Sequence, residues 1–215
     1  MDTFILIGIT GIGLGALYFL VASGLSLIYG LMGVLNFAHG SFLTVGAFVG
    51  FWLARTLGPD TSMPEFILAM IIGGLAAGAF ALLVEQLLIT RLYDRHIDQA
   101  LVTVGVSLVV GAVLGGWFTN DLQIFPTPLW FYTAINVGGA MIPADRIVYI
   151  ATAVLLLIAN WALLKFTRIG LIIRAGVENR HMVNALGVNV RLAFSTVFFL
   201  GGFAAGVGGV LVSVY

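Results

Sequence analysis

The sequence contains no cysteine, and only 8% of its residues are charged. The absence of cysteine excludes disulfides, thiolate zinc sites and cysteine nucleophiles. An ordinary soluble domain carries roughly 25% charged residues, so this composition is not that of a soluble protein. The nine basic and nine acidic residues balance. The chain therefore has no positive field for nucleic acid, and that class of partner is excluded.

Signatures of catalysis are missing as well. The only lysine, Lys165, is followed by Phe166, so the chain has no GxxxxGK[ST] phosphate loop, and any ATP must be bound by another subunit. Ser23 lies in VASG rather than GxSG, and no HExxH surrounds any of the three histidines. We therefore expect no catalytic residue, no metal site and no cofactor in this chain.

Long apolar runs dominate what is present. Hydrophobic residues make up 61% of the chain, and the mean hydropathy is +1.14. The N-terminus lacks the basic region and cleavage site of a signal peptide, so the first run is expected to remain as a span. A span needs about 20 apolar residues. This length predicts an all-α polytopic bundle, treated as one domain over residues 1–215, with spans at about 4–28, 34–54, 64–90, 100–118, 147–166 and 192–214.

The charges between spans predict the orientation. From Lys165 to Arg191 there are five basic residues against Glu178 alone, a net charge of +4, so the segment at about 167–191 should face the cytoplasm. The break at 119–146 has a net charge of −1 and contains Pro126, Pro128 and the consecutive aromatic residues Trp130, Phe131 and Tyr132. It predicts a rigid external loop at the membrane interface.

Glycines four residues apart recur inside the predicted spans. Small residues at this spacing let helices approach closely in a bilayer. The pattern predicts tight helix packing at Gly11 and Gly15, Gly46 and Gly50, Gly74 and Gly78, Gly111 and Gly115, and Gly202 and Gly206.

Three polar residues, Asn36, His39 and Ser41, interrupt the first long apolar stretch. If the second span begins near residue 34, they lie in its first two turns. An unpaired buried amide or imidazole costs roughly 2–7 kcal/mol, so we expect them to face a path or other helices rather than lipid. Gly30, Gly33 and Gly40 bracket them and can permit a broken helix there. The alternative is a polar turn whose side chains cap the two helix ends.

Glu85 lies about one turn from the inner end of the third predicted span. It can line the solute path or pair with Arg91 or Arg95. The ordinary alternative is a carboxylate that snorkels to the interface.

Residues 171–187, LIIRAGVENRHMVNALG, predict one amphipathic helix rather than a span. Its apolar side should pack beneath the bundle and consists of Leu171, Ala175, Met182 and Leu186. Its charged side should face the cytoplasm and consists of Arg174, Glu178 and His181. Gly187 is placed to end the helix in a left-handed conformation. The alternative is a basic surface helix attracted to anionic lipid.

Two stretches resemble a known family. Residues 13–50, GLGALYFLVASGLSLIYGLMGVLNFAHGSFLTVGAFVG, resemble the opening of the inner-membrane permeases of bacterial branched-chain amino-acid ABC importers, and NFAHG is the most specific part. Residues 174–213 resemble the family's cytoplasmic coupling loop and the following span. The positions that recur in the family there are Arg174, Ala175, Glu178, Ala185 and Gly187. The segment VEQLLITRLYDR is a looser match.

The resemblance implies a permease subunit in the bacterial inner membrane that imports branched-chain amino acids or a related small solute by alternating access. Its implied partners are ATP-binding cassette ATPase subunits, a second permease subunit, a periplasmic solute-binding protein and membrane lipid. Family members usually continue further, so the chain is expected to be short of the full fold. The expected path residues are Asn36, His39, Ser41 and Glu85.

Two other functions remain open on sequence grounds. One is a self-sufficient channel or secondary carrier for a small polar solute such as urea or an amide, with Asn36, His39 and Glu85 as selectivity or proton-relay residues. The other is a scaffold without transport, which predicts no solvent-accessible path.

Overall fold

The computed structural model describes residues 2–58, 61–93, 95–118 and 124–215. Six of its helices are long and apolar enough to cross a membrane, which confirms the predicted all-α polytopic bundle. The elements are α1 Asp2–Met32, α2 His39–Leu57, α3 Met63–Leu87, α4 His96–Phe118, β1 Ala134–Val137, β2 Ala140–Pro143, α5 Asp145–Phe166, α6 Arg168–Glu178, α7 Arg180–Ala185 and α8 Val190–Val212. Two short 3-10 helices span Ile89–Arg91 and Leu129–Tyr132.

Helix α8 forms the centre of the bundle. It packs against α1, α2 and α3. In its apolar 18-residue stretch, 72% of the residues are buried, against 6% in the corresponding stretch of α4. Helix α4 contacts α2 and lies at the edge. The last predicted span is therefore a core helix, and the fourth is the most peripheral span.

Glycine allows α8 to come this close to α2 and α3. A Cβ at Gly206 would lie 2.5 Å from the Ala77 Cβ and 2.9 Å from the Gly73 carbonyl oxygen. A Cβ at Gly46 would meet the Cα of Gly206. The packing prediction is confirmed for the pairs in α2, α3 and α8. It is wrong for Gly11, Gly15 and Gly111, where an added Cβ would meet nothing within 4 Å among the described residues.

The segment between α1 and α2 is a re-entrant linker, residues 33–38. Helix α1 ends at Met32, and Gly33 reverses the chain with a φ of 64°. Helix α2 begins only at His39, whose Nε2 lies 2.8 Å from the Val21 carbonyl oxygen. Val21 precedes Met32 by about 16 Å along the helix axis at 1.5 Å per residue. The linker therefore runs back along α1, and α2 starts at the depth of the α1 interior.

This geometry corrects the predicted start of the second span near residue 34. The left-handed turn at Gly33 stops the helix, and the next residues are not helical. Asn36 therefore lies in the linker, whereas His39 and Ser41 lie in the first turn of α2.

The segment between α4 and α5 contains a β-hairpin that the sequence did not predict. Strands β1 and β2 pair antiparallel, and the two-residue turn is formed by Gly138 (φ 60°) and Gly139 (φ 91°). Positive φ at both turn residues fits the twist of a tight hairpin, which explains the two glycines.

The same segment packs onto the outer end of the bundle. Phe131 and Phe125 are both 5% exposed, and their rings lie 4.9 Å and 5.9 Å from the ring of Phe66 in α3. Tyr132, by contrast, is exposed. The prediction of a loop resting on the interface is therefore wrong for Phe131, because the bundle offers it an apolar site next to Phe66.

The segment between α5 and α8 forms two helices rather than the predicted single helix over 171–187. Asn179 has an extended backbone (φ −153°, ψ 94°) that ends α6. Its Oδ1 accepts a hydrogen bond from the Met182 N–H at 2.9 Å and so caps α7. Gly187 has a φ of 78°, which confirms its predicted left-handed conformation.

Candidate solute cleft and cytoplasmic surface

A cleft of about 330 Å³ lies between α1 and the re-entrant linker. Its α1 wall consists of Leu25, Ser26 and Tyr29, and its linker wall consists of residues 34–37. Most of this lining is apolar, with polar groups from Ser26, Tyr29 and Asn36. Such a combination is typical of small-molecule sites.

Asn36 has one used and one unused hydrogen-bonding group. Its Oδ1 accepts from the Ala38 N–H at 3.1 Å, and the side chain is only 5% exposed. The Nδ2 has no hydrogen-bond partner among the described residues. A backbone N–H can only donate, so this contact orients the amide and leaves its nitrogen as the free group.

Thr103 of α4 anchors the linker from the other side. The Phe37 N–H donates to its Oγ1 at 3.1 Å, and Thr103 is fully buried. Thr103 was not among the predicted site residues. The only signal was a hydroxyl residue within an apolar span, which does not identify its partner.

His39 and Ser41 are buried within the bundle rather than in the walls of the cleft. The His39 ring packs edge-on to Phe42, with centroids 6.1 Å apart. Gly24 makes room for it, because a Cβ there would lie 2.9 Å from His39 Cε1. The contacts of His39 are those of a side chain that joins α1 to α2.

Glu85 is fully buried and bonded to hydroxyl groups. Its carboxylate accepts from Tyr93 Oη at 2.5 Å, Ser195 Oγ at 2.7 Å and Thr90 Oγ1 at 3.1 Å. Among the described residues it forms no ion pair, so the predicted pairing with an arginine is wrong. The three hydroxyl donors, which were not among the predicted site residues, come from α8 and from the segment after α3.

The face of α6 and α7 that points away from the bundle is apolar in a way the sequence did not predict. Helix α6 packs on the bundle through Gly170, Ile173 and Gly176, which are buried. Three of the four predicted inward residues are instead exposed, with fractions of 61%, 63% and 73% for Leu171, Met182 and Leu186. Glycines at the contact let α6 approach the bundle closely, so a different face turns inward.

The five positions predicted for coupling lie on or beside this exposed face. Ala175 is half-buried and packs in a small cluster with Phe194. The other four are exposed, namely Arg174, Glu178, Ala185 and Gly187. We call the exposed part of residues 168–187 the coupling surface.

The family described as the permease component of branched-chain amino acid transport systems matches residues 7–215. The chain belongs to this permease family. Together with the six apolar helices, membership makes this permease a multi-pass protein of the bacterial inner (plasma) membrane. The resemblance seen in the sequence is therefore confirmed.

Curated relatives support the assignment. This permease is 26% identical to the high-affinity branched-chain amino acid transport system permease protein LivH of Salmonella typhimurium, over 95% of this chain and 69% of the relative. It is 26% identical to BraD of Pseudomonas aeruginosa, over 96% and 69%. A probable LivH of Methanocaldococcus jannaschii is 29% identical, over 88% and 60%. No solved structure matches.

Proposed function

We propose that this permease forms the membrane path of an ATP-driven importer for branched-chain amino acids or closely related small solutes. The observation that carries the proposal is the family match over residues 7–215. The relatives named above are permeases of branched-chain amino acid transport systems. The cleft between α1 and the linker gives the fold a site of suitable size for such a solute.

The partners follow from what this chain does not carry. The single lysine excludes a phosphate loop here, so separate ATP-binding cassette subunits hydrolyse ATP. A second permease subunit completes the path across the membrane. A periplasmic solute-binding protein delivers the solute to the outer face.

The coupling surface is the docking site for the ATPase in this proposal. It joins the end of α5 to the start of α8, the core helix. A displacement of this surface by the ATPase would therefore be transmitted to the centre of the bundle. Its exposed apolar residues Leu171, Met182 and Leu186 suit burial in a protein cleft. Arg174 and Glu178 offer charges of both signs, and a purely lipid-binding helix would have no favourable use for Glu178.

Among the predicted path residues, Asn36 lines the cleft directly. His39 and Ser41 lie at the start of α2, next to the linker. Their role in this proposal is to hold the linker against α1. Glu85 holds α3 to α8 close to the coupling surface, and its role in this proposal is to link the ATPase side to the path.

Substitution of the coupling surface tests the proposal. Met182→Asp should reduce recovery of the ATPase with the tagged permease by roughly fivefold or more, since burying an unpaired charge in an interface costs over 1 kcal/mol. Glu178→Arg should weaken the same association. Both variants should reach the membrane in normal amounts.

Met141→Asp is the matched control. Met141 is 62% exposed, like Met182 at 63%, but it lies in strand β2 of the external hairpin. It should leave ATPase recovery unchanged. Equal recovery with Met182→Asp, Glu178→Arg and the control would refute docking at the coupling surface.

A further inference from the structure

The re-entrant linker places non-helical backbone inside the membrane-spanning part of the fold. The start of α2 lies beside Val21, about 16 Å above the end of α1. Irregular backbone at such depth is tolerated where it is buried in protein or lines a cavity. Here the linker is anchored to α4 through Thr103 on one side and lines the 330 Å³ cleft on the other.

Asn36 gives the cleft one unsatisfied donor. A buried amide nitrogen without a partner costs free energy, and a native fold keeps such a group only with a reason. Its own oxygen accepts from the Ala38 N–H, and no described residue provides an acceptor for its nitrogen. A solute with a carboxylate supplies such an acceptor.

We propose that this cleft is a solute subsite, in which Asn36 Nδ2 donates a hydrogen bond to the carboxylate of an aliphatic amino acid. This inference rests on the proposed import of amino acids and adds the site and its chemistry. The apolar side chains of Leu25, Val34 and Leu35 contact the aliphatic side chain. The hydroxyl oxygens of Ser26 and Tyr29 can accept from the ammonium group.

The composition of the cleft suits transport rather than storage. Its volume lies at the lower end of the range of about 300–1,000 Å³ for small-ligand pockets. A neutral amide binds a carboxylate more weakly than a bidentate arginine does. A path must bind its solute strongly enough to admit it and weakly enough to release it, and a single amide donor meets both needs.

A cysteine at the cleft reports solute binding directly. Ser26→Cys introduces the only thiol in a chain that has none. In the reconstituted complex of permease, ATPase and binding protein, we expect millimolar leucine to slow its reaction with a small maleimide. A cysteine at Thr127, in the external segment, should show no protection.

Two substitutions separate ligand binding from capping. Asn36→Asp keeps an oxygen for the Ala38 N–H but replaces the donor by an acceptor that repels a carboxylate. Asn36→Ser keeps a capping oxygen and removes the amide nitrogen. In the Ser26→Cys background, both should raise the leucine concentration for half-maximal protection by roughly tenfold or more, while the labelling rate without leucine stays unchanged.

Asn136→Asp is the control for the amide-to-acid exchange. Asn136 Oδ1 also accepts a backbone N–H, that of Gly139 at 2.9 Å, but in the external hairpin. We expect wild-type protection and wild-type leucine uptake from this variant.

The remaining outcomes are decisive. Unchanged protection in both Asn36 variants would show that Asn36 only caps the linker. If leucine does not protect the thiol at position 26, or if lipid or a subunit covers this thiol in every condition, the cleft is not a solute subsite. ATP-driven leucine uptake in the same complex would still support the proposed function. Absence of leucine uptake by the unmodified complex would overturn both.

Discussion

At the scale of single residues, Glu85 shows how this fold keeps a carboxylate away from water. Three hydroxyl groups replace the hydration that burial removes. One of the donors, Tyr93, also packs against Phe194, with ring centroids 5.9 Å apart. Phe194 contacts the cluster that holds α6 and α7. The carboxylate therefore fixes the junction of α3, α8 and the coupling surface.

Removing the Glu85 carboxylate should destabilise the protein strongly. Glu85→Leu removes the acceptor of the Tyr93 and Ser195 hydroxyl groups, whereas Thr90 Oγ1 keeps the backbone carbonyl of residue 85 at 2.8 Å. We expect a cost of about 2 kcal/mol or more in free energy of unfolding. Glu85→Gln retains one oxygen and a donor that hydroxyl oxygens can accept, so about 1 kcal/mol is expected. Thermal unfolding of the purified protein in detergent, followed by tryptophan fluorescence, measures both.

Glu65→Gln is the control for loss of a carboxylate. Glu65 caps α3 at the exposed outer end, where its Oε2 accepts from the Ser62 N–H at 2.6 Å. Its substitution should shift the melting temperature less than Glu85→Leu does. Equal shifts for the two variants would contradict a structural role for the buried network.

At the scale of elements, the close crossing of α2, α3 and α8 depends on glycines at the contacts, because glycine has no side chain. Gly206→Val should prevent correct packing, because the new side chain would overlap Ala77 and the Gly73 carbonyl group. Gly111→Val in α4 makes the same exchange where an added Cβ meets nothing within 4 Å among the described residues. Size-exclusion chromatography should give a monodisperse peak for Gly111→Val and aggregates for Gly206→Val. Monodisperse protein from both would contradict the close α8 contact.

The elements also show what the sequence could predict. Hydropathy predicted all six spans, because each one requires about 20 apolar residues wherever it packs. Hydropathy did not predict the re-entrant linker. The composition around Gly33 is the same whether the chain makes a left-handed turn there or continues as a helix. Hydropathy also missed the break at Asn179, where the side chain caps the following helix.

Of the four predicted path residues, only Asn36 lines the candidate cleft. Polarity within an apolar run was enough to select Asn36, His39 and Glu85, because burial of such groups requires partners. The partners themselves depend on contacts between distant segments. Thr103 in α4 accepts a hydrogen bond from the linker, and Ser195 donates one to Glu85, which lies 110 positions earlier in the chain. The exposure of Met182 likewise depends on which face of the helix pair contacts the bundle.

At the scale of the whole molecule, the two ends of the bundle differ. The external hairpin precedes α5 and the coupling surface follows it, so the 22 residues of α5 separate them by about 33 Å. The coupling surface also lies with the end of α1 and the segment after α3, since Met32, Tyr93 and Ala175 pack in one cluster. Solute delivery at one end and ATP hydrolysis at the other fit this arrangement. The net charge of +4 predicts that the coupling end is cytoplasmic.

The most direct test of the account is ATP-dependent accumulation of leucine in proteoliposomes. The vesicles contain the complete complex with ATP trapped inside, and the solute-binding protein loaded with radiolabelled leucine is added outside. We expect internal leucine to rise above the external concentration only when ATP and the ATPase are present. Equal uptake by this permease alone, without ATP, would contradict the account and support a self-sufficient channel or carrier.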